Sequence, residues 1–114
     1  MYTAPQAFMR KIESEMNNAI RNRMDWHKDN TEVCITGDTA TVYLHNNHIA
    51  TVQPDKVTLY DGGWRSNTTK SRLNAILDGI AYGVGGVFQR NWEWYVSTPL
   101  GSQPFDSGFE IGLH

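Results

Sequence analysis

The stretch with the clearest chemical potential is Trp64-Arg65-Ser66-Asn67-Thr68-Thr69-Lys70-Ser71-Arg72. Three cations and several hydroxyls precede an apolar stripe at helical spacing, and the free amides of a helix start add to them. That combination holds phosphate or carboxylate. No acid stands between Asp61 and Asp78, so this segment carries +3 in a chain whose net charge is −2. The candidate anion or nucleic-acid site is Arg65, Thr68, Thr69, Lys70 and Arg72. The spacing is not the G-x-x-x-x-G-K-[ST] of a phosphate loop, which argues against a nucleoside triphosphatase. The competing reading is structural: Thr68 or Thr69 caps a helix, Gly62-Gly63 turns the chain, Trp64 enters the core and the cations are solvated.

A second candidate is aromatic. Tyr43 and Tyr60 should face away from their strands' apolar residues, while Trp92, Trp94 and Tyr95 fall near Arg90. Exposed rings of this kind stack on the bases of single-stranded nucleic acid. Trp92, Trp94 and Val96, at alternate positions, read instead as one core face. His45 and His48 flank a turn and could approach one another, but zinc needs three or four ligands and no further ligand can be assigned, so no metal is expected. Cys34, between Val33 and Ile35, reads as a small packed side chain. No nucleophile, base and orienting acid can be named. The expectation is therefore no catalytic residue, no enzyme activity and no cofactor.

The elements that would position these residues are well punctuated. Thr3-Ala4-Pro5-Gln6 has the form of a capping box. Phe8, Ile12, Met16, Ala19, Ile20 and Met24 then recur at three- and four-residue steps, with Glu13 and Asn17 among the polar residues between them. This predicts an amphipathic helix over roughly Ala4 to Met24, either docked on the domain or protruding to bind a partner. From Thr31 the period becomes two, giving four strands near 31–36, 40–45, 48–53 and 56–61, with turns at Gly37-Asp38, Asn46-Asn47 and Pro54-Asp55. Leu73, Ile76, Leu77 and Ile80 mark a second helix from about Thr69 to Tyr82, with Asn67, Thr68 or Thr69 as N-cap and Gly83 near its end. A hairpin follows over Val87–Arg90 and Trp92–Val96, turning at Arg90-Asn91. A loop at Pro99–Pro104 precedes Phe109-Glu110-Ile111, which can add an edge strand.

At 114 residues, with 39% hydrophobic and 19% charged side chains, the chain fits one domain able to bury its own core. The single cysteine excludes an internal disulfide and suits a reducing cytoplasm. The polar first 25 residues do not read as a signal peptide, and no window is apolar enough for a membrane helix.

The run ATVYLHNNHIATVQPDKVTLYDGGWRSNTTKSRLNAIL, with VFQRNWEWYV and a late FDSGF, resembles a family of small proteins from tailed bacteriophages, many of them marine. The resemblance covers about Ala40 to Phe109 and leaves the first helix outside it. It implies a phage origin and expression in a bacterial host's cytoplasm, and it assigns no catalytic or binding residue.

The sequence thus specifies an α+β fold in a single domain over 1–114. An amphipathic helix within 1–26 precedes a core over 31–113 made of a four-strand antiparallel meander, a second helix and a C-terminal β-hairpin. The function expected is a non-enzymatic phage accessory protein that binds a host or phage protein and can self-associate. The alternative is a nucleic-acid binder using the Arg65–Arg72 segment. No membrane association is expected.

Overall fold

The computed structural model describes residues 10–81 and 85–113. Helix α1 (Lys11–Asn22) leads into β1 (Trp26–Lys28), β2 (Thr31–Thr36), β3 (Thr39–Leu44), β4 (Asn47–Val52) and β5 (Lys56–Leu59). Helix α2 (Asn67–Ile80) follows, then β6 (Gly86–Arg90), β7 (Glu93–Thr98), β8 (Gly101–Pro104) and β9 (Phe109–Gly112). The α+β fold expected from the sequence is the fold found.

The strands form two antiparallel sheets, one of six strands in the order β1-β2-β3-β4-β5-β9 and one of three in the order β6-β7-β8. Period-two patterning sorts the larger sheet into cross-strand rows. Val33, Val42, Ala50 and Leu59 align across it, as do Ala40, Val52 and Val57, and all are buried. On the opposite face run Cys34, Thr41, Thr51, Thr58 and Glu110. A register shift between Val42 and Tyr43 gives β4 an extra residue, so Ile49 and Ala50 both turn inward. Strict alternation does not anticipate Ile49 as core.

The turns agree with the sequence at Gly37-Asp38 and Pro54-Asp55, where Thr36 pairs with Thr39 and the Gln53 amide donates to Lys56 O. Two shift by one residue. His45-Asn46, both at positive φ, joins β3 to β4 in place of Asn46-Asn47, and Asn91-Trp92, likewise at positive φ, joins β6 to β7 in place of Arg90-Asn91. β1 and β8 were not expected: Trp26–Lys28 is too short to show a period, and Gly101–Pro104 is composed of turn-forming residues. Phe109–Gly112 does pair as an edge strand, on β5.

Helix α1 starts after Arg10, whose backbone is extended (φ −68°, ψ 152°), so one helix does not run through from Ala4 to Met24. Thr3–Gln6 and Phe8, and Tyr82 and Gly83 at the other helix's expected end, lie outside the described residues. Left-handed Arg23 closes α1, with the Met24 amide donating to Ala19 O at 2.9 Å. Met16, Ala19 and Ile20 are buried against α2 and β1–β2, so α1 is docked rather than protruding. Glu13 and Asn17, expected on the solvent side, are buried too. Asn17 Nδ2 donates to Ala75 O at 2.8 Å, and a Cβ at Gly79 would stand 2.5 Å from that nitrogen, so glycine there sets how closely the helices cross.

Both helices and both sheets share one hydrophobic core. Leu73, Ile76 and Leu77 of α2 are fully buried, and Trp94, Val96, Val87 and Phe105 continue the core under the smaller sheet. Asn74 joins α2 to β6, its side-chain nitrogen donating to Val87 O at 3.0 Å and its oxygen accepting from the Val87 amide at 2.6 Å. Trp92, expected in the core with Trp94, is 89% exposed because it belongs to the turn rather than to the strand.

Candidate functional site

The loop from Asp61 to Ser66 is organised by Asp61. Its Oδ1 accepts from the Gly63 amide at 2.8 Å and its Oδ2 from Arg65 Nε at 3.1 Å, while its carbonyl accepts from the Trp64 amide at 3.2 Å. Ser107 Oγ accepts from the Asp61 amide at 3.1 Å and ties the loop to the chain before β9. Burial acts to raise the Asp61 carboxyl, but hydrogen bonds from Gly63, Arg65 and Ser107 outweigh it and hold the group below its ordinary value. Gly62 and Gly63, at φ 69° and 83°, supply the backbone this turn needs.

Ser66 caps α2, its Oγ accepting from the Thr69 amide at 3.1 Å, so the cap is neither Asn67, Thr68 nor Thr69. The Thr69 hydroxyl donates to Trp64 O at 3.3 Å. Trp64 is thereby held by its backbone on both sides while its ring is 76% exposed, against the expectation that it enters the core. Beside it lies a groove of about 390 Å³, floored by Leu44 and Ile49 and rimmed by His45, Asn47, Asp61 and Ser66.

The five residues expected to hold an anion are not brought together. Arg65 is paired with Asp61, donates through its other arm to Phe105 O at 3.0 Å, and lies 5.5 Å from the ring centroids of both Trp94 and Phe105. Lys70 shares the Trp94 ring at 5.8 Å and donates to Gln89 Oε1 at 3.3 Å. Thr69 is buried and engaged in the cap; Thr68 is half-buried. Arg72 points inward: NH1 donates to Glu13 Oε2 at 2.7 Å, Nε to Thr31 Oγ1 at 3.0 Å and NH2 to Asn30 Oδ1 at 3.3 Å, with the Ser71 hydroxyl donating to the same Glu13 oxygen at 2.5 Å. Arg72 is therefore a core residue. The signal was present, since Arg72 keeps helical spacing with Thr69 and Ile76, and Glu13 keeps it with Met16, Asn17 and Ile20. Opposite charges on two apolar stripes mark a buried pair.

The tyrosines do lie on the polar side of the larger sheet. The His48 ring is tilted against those of Tyr43, at 5.8 Å, and Tyr60, at 4.2 Å. Its Nε2 stands 3.1 Å from Ala50 O and 2.7 Å from Thr51 Oγ1. His45, in the turn, reaches Asn30 Nδ2 at 3.5 Å. Among the described residues no group of three or more His, Cys, Asp and Glu side chains could hold a metal ion. Cys34 is half-buried on the polar face; desolvation, followed by Glu32 and Asp25, pushes its thiol up and leaves it a poor nucleophile.

The geometry defines a small α+β protein with an exposed tryptophan beside a groove, in which the most strongly placed cation, Arg72, serves the core. Residues 9–112 match the model of the Kyanoviridae Gp96 protein family, and the chain belongs to that phage family. The match takes in α1, which the resemblance seen in the sequence left out, so this helix is part of the family's common body. No curated protein and no solved structure matches. Among the described residues no helix is long and apolar enough to cross a membrane.

Proposed function

We propose that this phage protein is a non-enzymatic accessory factor that works in the host cytoplasm by docking a protein partner in the groove beside Trp64. The observation that supports this reading is the exposed Trp64 ring on a loop fixed by Asp61, Ser66 and Thr69. Tryptophan is enriched among residues that dominate binding energy, and the backbone that carries this one is already held by hydrogen bonds, which lowers the cost of ordering the loop on association. The groove's aliphatic floor and hydrogen-bonding rim match what a protein segment presents.

The alternative, nucleic acid held by the Arg65–Arg72 segment, retains Arg65, which is paired with Asp61, and Lys70, but not Arg72. The test is site-specific photo-crosslinking from positions 45 and 47, both on the groove, in infected cells, with position 36, on the far turn, as control. A discrete crosslinked host or phage protein is expected, and Trp64→Ala should abolish its capture from position 45 without lowering thermal stability. Crosslinks no different from the control would refute the reading, and a product of twice the chain's own mass would make the partner a second copy.

A further inference from the structure

The larger sheet ends at β9, which carries the last members of two apolar rows. Val52, Val57 and Ile111 make one row, and Ala50, Leu59 and Phe109 the other. The β4 and β5 members are buried, whereas Ile111 and Phe109 are half-buried against the core, as is Leu113 just beyond the strand. The Leu113 amide donates to Asp55 O at 2.8 Å, so alternation turns the peptide groups of Ile111 and Leu113 toward β5 and those of Glu110 and Gly112 away from it. The Glu110 side chain is 59% exposed and lies 3.3 Å from Lys56 Nζ, and Lys56 stands directly across from Gly112. A Cβ at Gly112 would meet nothing within 4 Å, so the row that starts at Lys56 is open beyond it.

We propose that β9 pairs antiparallel with β9 of a second copy of this chain, about a two-fold axis through Ile111. A strand can serve as its own partner when its pattern survives reversal, and Phe109-Glu110-Ile111-Gly112-Leu113 does. Reversal about Ile111 sets Ile111 against Ile111, Phe109 against Leu113 and Glu110 against Gly112. The outward peptide groups of Glu110 then meet those of the second copy's Gly112 in the hydrogen-bonded register, and the two Ile111 residues fall at the closer, non-hydrogen-bonded position. Both apolar rows run on across the axis, which covers side chains that the single chain leaves half-buried. Charge selects the same register. A pairing centred on Glu110 would set two carboxylates face to face, whereas the one centred on Ile111 brings the second copy's Glu110 into the row of Lys56. Gly112 puts no side chain between them, so Lys56 has a carboxylate on either side. The other terminal strands do not reverse onto themselves: β1 would set Trp26 against Lys28, β6 Val87 against Gln89, and β8 Gly101 against Pro104, which has no donor. The pairing uses no residue of the groove beside Trp64 and stands independently of it.

Sedimentation equilibrium of the full chain tests it. The mean mass should climb with concentration from that of one chain toward that of two, with a Kd between about 1 µM and 1 mM. Gly112→Glu places a carboxylate opposite the second copy's Glu110, at a position with open space around it, and should weaken association at least about fivefold without lowering the melting temperature. Adding Glu110→Lys restores unlike charges across the axis and should return the Kd to within about threefold of the wild type. In a Cys34→Ser background Ile111→Cys should oxidise to a covalent dimer, because the paired Cα atoms would stand about 4.5 Å apart, within disulfide reach, and Thr36→Cys should not. Trp64→Ala should leave association unchanged. A mass of one chain up to about 1 mM protein, association indifferent to Gly112→Glu, no recovery in the double variant, or no disulfide through position 111 would each overturn the proposal. So would loss of association in Trp64→Ala, which would move the contact to the groove.

Discussion

Replacing Arg72 with methionine tests the reassignment of that residue most directly. The Arg72 and Glu13 side chains are 4% and 3% exposed and 2.7 Å apart, and Arg72 also bonds Thr31 and Asn30. Removing one member of a buried pair costs about 3–5 kcal/mol, because the remaining charge is stranded. Here Glu13 would keep the Ser71 hydroxyl and the Arg10 amide, which places the expected loss near the lower end, about 3 kcal/mol. With a urea slope of about 1–3 kcal/mol/M, the unfolding midpoint should fall by about 1–3 M. The double variant Glu13→Leu with Arg72→Met removes both charges and should recover most of the loss, since apolar replacement of a buried pair is often neutral. Lys70→Ala, two residues away on the exposed side, should cost no more than about 1 kcal/mol. An Arg72→Met midpoint within experimental error of the wild type, or a double variant as unstable as the two single losses added together, would refute the reasoning.

Leu77→Ala and Trp94→Ala, both at buried positions, should cost about 2–5 and 3–5 kcal/mol in chemical denaturation. Asp78 lies near the end of α2, where burial raises its carboxyl. The folded state therefore favours the protonated form, stability falls as pH rises through the folded pKa, and Asp78→Asn should stabilise at neutral pH with a gain that disappears in acid. Asp61 has the opposite sign: its contribution is present above the unfolded pKa and lost as pH falls through the lower folded one. The stability advantage of wild type over Asp61→Asn, followed by melting temperature, should accordingly narrow below about pH 4.

The meander, both helices and the β6–β7 hairpin were legible because each rests on a local pattern: period two with Gly, Asn or Pro at the turns, or period 3.6. What was not legible depends on tertiary contact. Trp92 and Trp94 share a strand pattern, yet a one-residue shift in the turn sends one to solvent and the other to the core. Ile49 enters the core through a bulge that no alternation rule anticipates. At the candidate site the Arg65–Arg72 segment stood out by its cations, hydroxyls and helix start, and none of these reveals which cations have partners. Asp61 is near in sequence, and the turn over Asp61–Trp64 brings it to Arg65. Glu13 is 59 residues from Arg72, and only packing of α1 on α2 brings them together.

The paired hydrogen bonds between Asn74 and Val87 have a consequence for the molecule's behaviour at high concentration. β6 is the terminal strand of its sheet, with donors and acceptors directed outward as a template for another chain. The Asn74 carboxamide presents a carbonyl and an amide much as a peptide group would, and it occupies the Val87 positions from within the same polypeptide. A Cβ at Gly86 would come within 2.8 Å of the Asn74 oxygen, so glycine there leaves room for the arrangement. One side chain thus stands in for the next strand at Val87 and blunts this edge from within the same polypeptide.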